Sequence, residues 1–232
     1  TATTTTELAT TTTTTLTFTT VMVTTTTTTV TTTTQAAPQL GARKANWIFP
    51  SLFCFEVTCV KPEDPNWYEP KLVMAQLRQK VSIFQCDEYT VFTNGGKLRL
   101  GNWTPTQLRA PRVGMGDLNK PGQTTNSWLN TLIFQQAWVE IKRDGRYRRH
   151  DWVVKCDPDA VFFPQRLREL VRPHSSPPGA WFYLNCNKYP PSPPGEAKLY
   201  GSVEVFSRKA VEAYHARKDE CINGMKWQGW GE

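Results

Sequence analysis

Two carboxylates one residue apart, Asp157 and Asp159, end an apolar run, Trp152-Val153-Val154-Lys155-Cys156, with Pro158 between them. Carboxylates at this spacing offer hard oxygen donors, which suit magnesium, manganese or calcium rather than zinc. Proline holds its φ near about −65° and donates no backbone hydrogen bond, so Asp-Pro-Asp is a stiff turn from which both side chains reach one cation. Two acids this close repel each other unless positive charge lies between them. A lone Asp-x-Asp is often no more than polar punctuation in a surface turn. The unbroken apolar strand leading into this one argues for more.

The run that carries the acids is too short to cross a membrane and rich in β-branched and aromatic residues, which predicts a buried strand of a parallel or mixed sheet. The acids then emerge at its C-terminal end, where open α/β sheets hold their ligands. Upstream, 52–60 reads as a first buried strand. A helix is expected to start at Pro70 and to show Val73, Leu77, Val81 and Phe84 on one face. A second strand, 89–93, is stopped by Asn94-Gly95-Gly96, and strand, helix and strand make a parallel βαβ unit. The glycine pair is a faint phosphate-loop signal and a stronger turn signal. Residues 97–123 read as an irregular lid or binding loop.

Thr124, Thr125, Asn126 and Ser127 offer caps for a helix with Leu129, Ile133, Ala137 and Ile141 on its face, ended by Asp144-Gly145. After the acids, Pro164 opens a short helix with Leu167, Leu170 and Val171. Strands are expected at 180–185 and 201–206, and Ser207 caps a last helix with Val211 and Tyr214. No internal repeat is visible.

The chain has 232 residues, and threonine makes up roughly seven in ten of the first 34, a low-complexity composition. Residues 1–37 are therefore expected to be a disordered or O-glycosylated stalk or linker with too few apolar groups for a core, and 38–232 an α/β domain. Threonine's β-propensity leaves an aggregation-prone strand as the rival form of the tract. Beyond the tract, 27 basic residues face 19 acids. Lys142, Arg143, Arg146, Arg148, Arg149 and His150 crowd upstream of the acid pair; they are either the solvated end of a helix or an attractor for an anion such as a nucleotide diphosphate. No nucleic-acid motif accompanies the charge, so nucleic acid is not an expected partner.

Six cysteines without a CxxC pair, and three histidines, argue against zinc. They fit either disulfides in a secretory lumen or reduced buried thiols, and three bridges allow about fifteen pairings. No apolar span of membrane length is present. The absent initiator Met and the ending on Trp230-Gly231-Glu232 lead us to expect a fragment, with any membrane anchor outside this chain.

An Asp-x-Asp at a strand end in a βαβ chain resembles two families. One is the GT-A glycosyltransferases, whose acids and divalent metal hold the diphosphate of a sugar nucleotide. The other is the haloacid-dehalogenase-type phosphatases, whose D-x-D-x-T/V motif Asp157-Pro158-Asp159-Ala160-Val161 also matches. In the phosphatases the pair lies near the start of the domain with further catalytic residues on later strands, whereas here it falls mid-domain. Trp227-Gln228-Gly229-Trp230-Gly231-Glu232 resembles the W-G-W-G-G-E-D segment of β-1,4-galactosyltransferases, and Tyr200-Gly201-Ser202-Val203 through Ser207 resembles a segment of fringe-like and β-1,3-galactosyltransferases, with its glycine cluster reduced to Gly201.

The transferase resemblance implies a GT-A-like, Rossmann-like mixed sheet flanked by helices. It implies Asp159 and Asp157 at Mn²⁺ or Mg²⁺, with Asp157 also reaching the ribose. Trp230 would stand against the acceptor sugar and Glu232 would be the catalytic base. A nucleotide-sugar donor, UDP-sugar favoured, a glycan or glycoprotein acceptor, and a Golgi or other lumenal location, or secretion, follow from the same resemblance. A non-catalytic glycan-binding surface protein is the alternative from another class.

Overall fold

The central strand, β1, is Leu52–Cys59. Its side chains alternate between two apolar layers: Leu52 and Cys54 enter one, Phe53, Phe55 and Val57 the other. A strand covered on both faces reads as a continuous apolar run. Burying a phenylalanine such as Phe53 or Phe55 fully contributes ~1.5–3 kcal/mol. The computed structural model describes residues 49–64, 66–110, 114–175, 179, 182–183, 199, 201–224 and 230. The Thr-rich tract lies outside them, and so does Glu232.

From β1 the chain enters α1 (Glu69–Gln79) and returns as β2 (Glu88–Asn94), parallel to β1 in a register from Phe53↔Glu88 to Cys59↔Asn94. A two-residue strand, β3 (Thr106–Gln107), extends the sheet beyond β2. Helix α2 (Thr131–Asp144) then crosses back, and β4 (Trp152–Cys156) lies parallel to β1 on its other side. After α3 (Pro164–Val171), β5 (Phe182–Tyr183) and β6 (Val203–Ser207) complete the sheet, and α4 (Arg208–Ile222) follows. Strand order is β3-β2-β1-β4-β6-β5, with β6 antiparallel to β4 and to β5. Val73 of α1 and Leu167 and Val171 of α3 pack on one face; Ile133, Ala137 and Ile141 of α2 and Val211 of α4 pack on the other. This is the expected mixed α/β sheet between helices.

Several expected details differ. Helix α1 stops at Gln79, because Lys80 turns left-handed at φ 53 and its N–H closes on the Gln76 and Leu77 carbonyls. Val81 is therefore 41 % exposed, and Phe84 sits in a separate 3₁₀ turn, Ser82–Gln85. The stretch 97–123 is only partly a loop: Leu98, Leu100 and Leu108 are buried, and Thr106–Gln107 pairs with β2 through its backbone. Helix α2 begins at Thr131, later than the run of expected caps; Thr125 and Ser127 instead bond each other, and Trp128 bridges to Met115. Gly145 does end that helix, at φ 75. Leu170 points outward.

The expected cap at Ser207 is present, its Oγ accepting from the Ala210 N–H at 3.2 Å. A Cβ at Gly96 would meet Val60 Cγ1 at 2.8 Å, so close packing requires a glycine there. Cys54 and Cys86 form a disulfide that ties β1 to the approach to β2. Among the described residues no helix is long and apolar enough to cross a membrane.

The N-terminal end of the sheet is closed by ion pairs. Asp87 accepts from the Leu52 N–H at 2.7 Å and from buried Arg168 at 2.8 Å. Asp151 accepts from the Ser51 N–H and hydroxyl at 2.7 and 2.9 Å. Glu88 meets Arg149 at 2.6 Å, and Asp144 meets Arg146 at 2.7 Å.

Candidate functional site

Helices on opposite faces make the crossovers that leave β1 toward β2 and reach β4 from the other side. The sheet's order reverses between β1 and β4, the kind of crevice in which open α/β sheets bind ligands. A cavity of about 200 Å³ opens there, at the C-terminal ends of the parallel strands. Cys59 at the end of β1, Asn94 at the end of β2, and Asp157 and Asp159 just after β4 all line it.

The two acids are not equivalent. The Asp157 N–H is held by the Ser202 carbonyl at 2.9 Å, and its carboxylate accepts from Lys155 Nζ at 2.7 Å. Lys155 is fully buried two positions back on β4, therefore on the same side of the strand, and it also donates to the Gly201 carbonyl. Its ammonium lies 4.2 Å from the centre of the Phe134 ring. The charge that two neighbouring acids require is thus built into the strand itself. Burial pushes the Asp157 carboxyl up, the Lys155 ammonium pulls it back down, and Asp159 adds to the rise. Asp159 is exposed and accepts from the Tyr68 hydroxyl at 3.2 Å. Pro158 is buried between them, its carbonyl taking Gln76 Nε2 at 2.7 Å, so the turn is pinned to α1.

Glu69, at the start of α1, also faces the cavity and accepts from the Cys59 N–H at 2.6 Å. Burial, ahead of the Asp159 charge, raises its pKa. Behind these groups Glu56 is wholly buried, and neither carboxyl oxygen has a hydrogen-bond partner among the described residues. Burial first, then Glu69 and Asp157, push it up to about 8. Glu204, opposite Lys155 in the β4–β6 register, is pushed up to about 7 by burial, against the pull of Lys155. The Cys156 thiol, buried beside Ser82, goes up to about 12 by burial and then by Glu56.

Part of the lining is aromatic. Trp67, fixed by a bond from Nε1 to the Cys59 carbonyl at 3.0 Å, meets Trp128 edge to face at 6.4 Å. Lys61 places its ammonium 3.3 Å from the Trp67 ring centre and 4.9 Å from that of Trp128. The first turn of α2 closes the cavity through Ile133 and Phe134.

Asp157 and Asp159, read from the sequence as metal ligands, therefore share one cavity wall. Gly201 and Ser202, in the segment that resembles one of fringe-like and β-1,3-galactosyltransferases, meet Lys155 and Asp157 through their carbonyls. Trp230 is half-buried and its carbonyl accepts from Thr131 Oγ1 at 3.0 Å, which puts its backbone beside the start of α2. Its ring does not figure among the cavity's described lining. The proposed base Glu232 lies outside the described residues. The basic run 142–150 flanks the opposite end of β4, about 17 Å from the acids at ~3.3 Å per residue over five residues, and Arg146 and Arg149 are paired there; it does not face the acid pair.

Sequence reasoning missed Lys155, Tyr68, Trp67, Trp128, Lys61, Glu69 and Glu56. A lysine or glutamate interrupting an otherwise apolar strand was the available signal for Lys155 and Glu56.

Among the described residues, no three of His, Cys, Asp and Glu group so as to hold a metal ion by themselves. Asp157 and Asp159 do supply hard oxygens, one of each engaged by Lys155 or Tyr68. Such a pair fits Mg²⁺ or Mn²⁺ when ligand oxygens and water complete the shell. No protein-family model and no curated protein matches the chain.

Proposed function

We propose that the cavity is the donor site of a metal-dependent glycosyltransferase of GT-A type, which moves a sugar from a nucleotide sugar, a UDP-sugar by preference, to a glycan or glycoprotein acceptor. The observation that carries this reading is the pair Asp157 and Asp159 on the wall of a cavity at the reversal point of a doubly wound sheet. A bound Mn²⁺ or Mg²⁺ supplies Lewis-acid stabilisation of the departing diphosphate. Asp159, exposed, would hold that ion, and Asp157, fixed by Lys155, would orient the donor's ribose or water beside the ion. Glu232 takes the proton of the attacking acceptor hydroxyl, which makes the transfer inverting, and Trp230 stands against the acceptor ring. The Cys54–Cys86 bridge supports an oxidising, lumenal compartment.

Incubation with a panel of sugar nucleotides and Mn²⁺ tests the reaction class. Slow release of nucleotide diphosphate from one donor is expected. Hydrolysis of an aryl phosphate with an aspartyl-phosphate on Asp157 would make the protein a phosphatase. Glycan retention with neither reaction would make it a passive binder.

A further inference from the structure

Lys61 is half-buried and lines the same cavity as the acids. Glu69, Asp157 and Asp159 line the same cavity, yet among the described residues no carboxylate pairs with its ammonium. Two indoles hold it instead, Trp67 at 3.3 Å and Trp128 at 4.9 Å from their ring centres. Trp67 cannot swing away without giving up its bond to the Cys59 carbonyl. An ammonium over aromatic faces still carries N–H donors, and the carboxylates of Glu69, Asp157 and Asp159 line the same cavity.

We propose that Lys61 is the phosphoryl-binding pole of the cavity, meeting the diphosphate that a cation on the acid pair also holds. The proposal rests on the metal-dependent reading above, because the three lining carboxylates repel a phosphate unless a divalent cation lies on Asp157 and Asp159. Trp67 and Trp128 act as positioning residues that hold the ammonium.

Calorimetry in buffer containing excess Mn²⁺, with UDP, UMP and uridine as titrants, tests it. Wild type is expected to bind UDP more tightly than UMP, and UMP more tightly than uridine. Lys61→Met should weaken UDP by ~10–100-fold, the range for a charged hydrogen bond, weaken UMP less, and leave uridine unchanged. Lys61→Arg should recover part of the UDP affinity. Lys61→Gln gives a second neutral variant should Lys61→Met lose the wild-type melting temperature. Equal UDP affinity in wild type and the neutral variants would overturn the phosphoryl pole while leaving the transferase reading standing. The same would follow from an equal fold-loss for UDP and uridine, since Lys61 would then only shape the cavity. A wild type that binds none of the three ligands overturns both.

Discussion

The two ends of the parallel sheet treat their charges in opposite ways. At the N-terminal end Asp87, Asp151, Glu88 and Asp144 each meet a cation or backbone donors at 2.6–2.9 Å. At the C-terminal end Glu56, Glu69, Asp157 and Asp159 crowd together, and Lys155 is the cation bonded to one of them. Glu56, Glu69 and Asp157 are all pushed up in pKa there, with burial the first cause of each. One end is closed by ion pairs that fix the strands. The other holds an excess of carboxylates around a cavity, the pattern of a site whose charge is completed by something bound.

The contrast breaks most readily at Arg168, which is 2 % exposed. Replacing it with Met leaves Asp87 charged and buried without its guanidinium, and loss of one partner of a buried pair costs ~3–5 kcal/mol. Each kcal/mol lowers the melting temperature by ~2–4 °C for a domain of this size. Thermal denaturation of Arg168→Met should therefore show a drop of about ten degrees. A change of one or two degrees would mean that the pair is incidental.

At the cavity end an acid should behave the other way. Glu56 is raised from 4.5 to about 8, so the folded protein keeps a proton that the unfolded chain releases. Stability is then lost as pH rises from about 4.5 to about 8, because over that window the native state binds more protons than the unfolded one. Glu56→Gln cannot ionise. It should melt several degrees above wild type at pH 8.5 and no higher at pH 4.5. Parallel melting curves at both pH values would show that Glu56 is relieved by a neighbour.

These differences explain which parts could be read from the sequence. Strands β1, β2 and β4 were legible because they are covered on both faces and so nearly continuous in apolar residues. Pro164 at the start of α3, Gly145 at the end of α2 and Ser207 as a cap were legible because their backbone chemistry is local. The end of α1 was not: Val81 and Phe84 keep the helical spacing, and the left-handed turn at Lys80 leaves no trace in that pattern. Strand β3 was hidden because two exposed residues, Thr106 and Gln107, join the sheet through backbone bonds alone.

The acid pair was legible as a motif, whereas its surroundings were not. Lys155 meets Asp157 through strand geometry, but Tyr68, Trp67, Trp128 and Lys61 reach the same cavity only through the fold, from loops with no periodic signal. The basic run 142–150 misled for the same reason: it is near the acids in sequence but at the other end of β4.

The most direct measurement is calorimetric titration of Mn²⁺ into wild type and Asp159→Asn, each with and without UDP. Two carboxylates are a thin shell for an octahedral ion, so tight Mn²⁺ binding is expected in wild type only with UDP present, and in Asp159→Asn under neither condition. Equal Mn²⁺ affinity with and without UDP, or unchanged affinity in Asp159→Asn, would contradict a cation and diphosphate site at this end of the sheet.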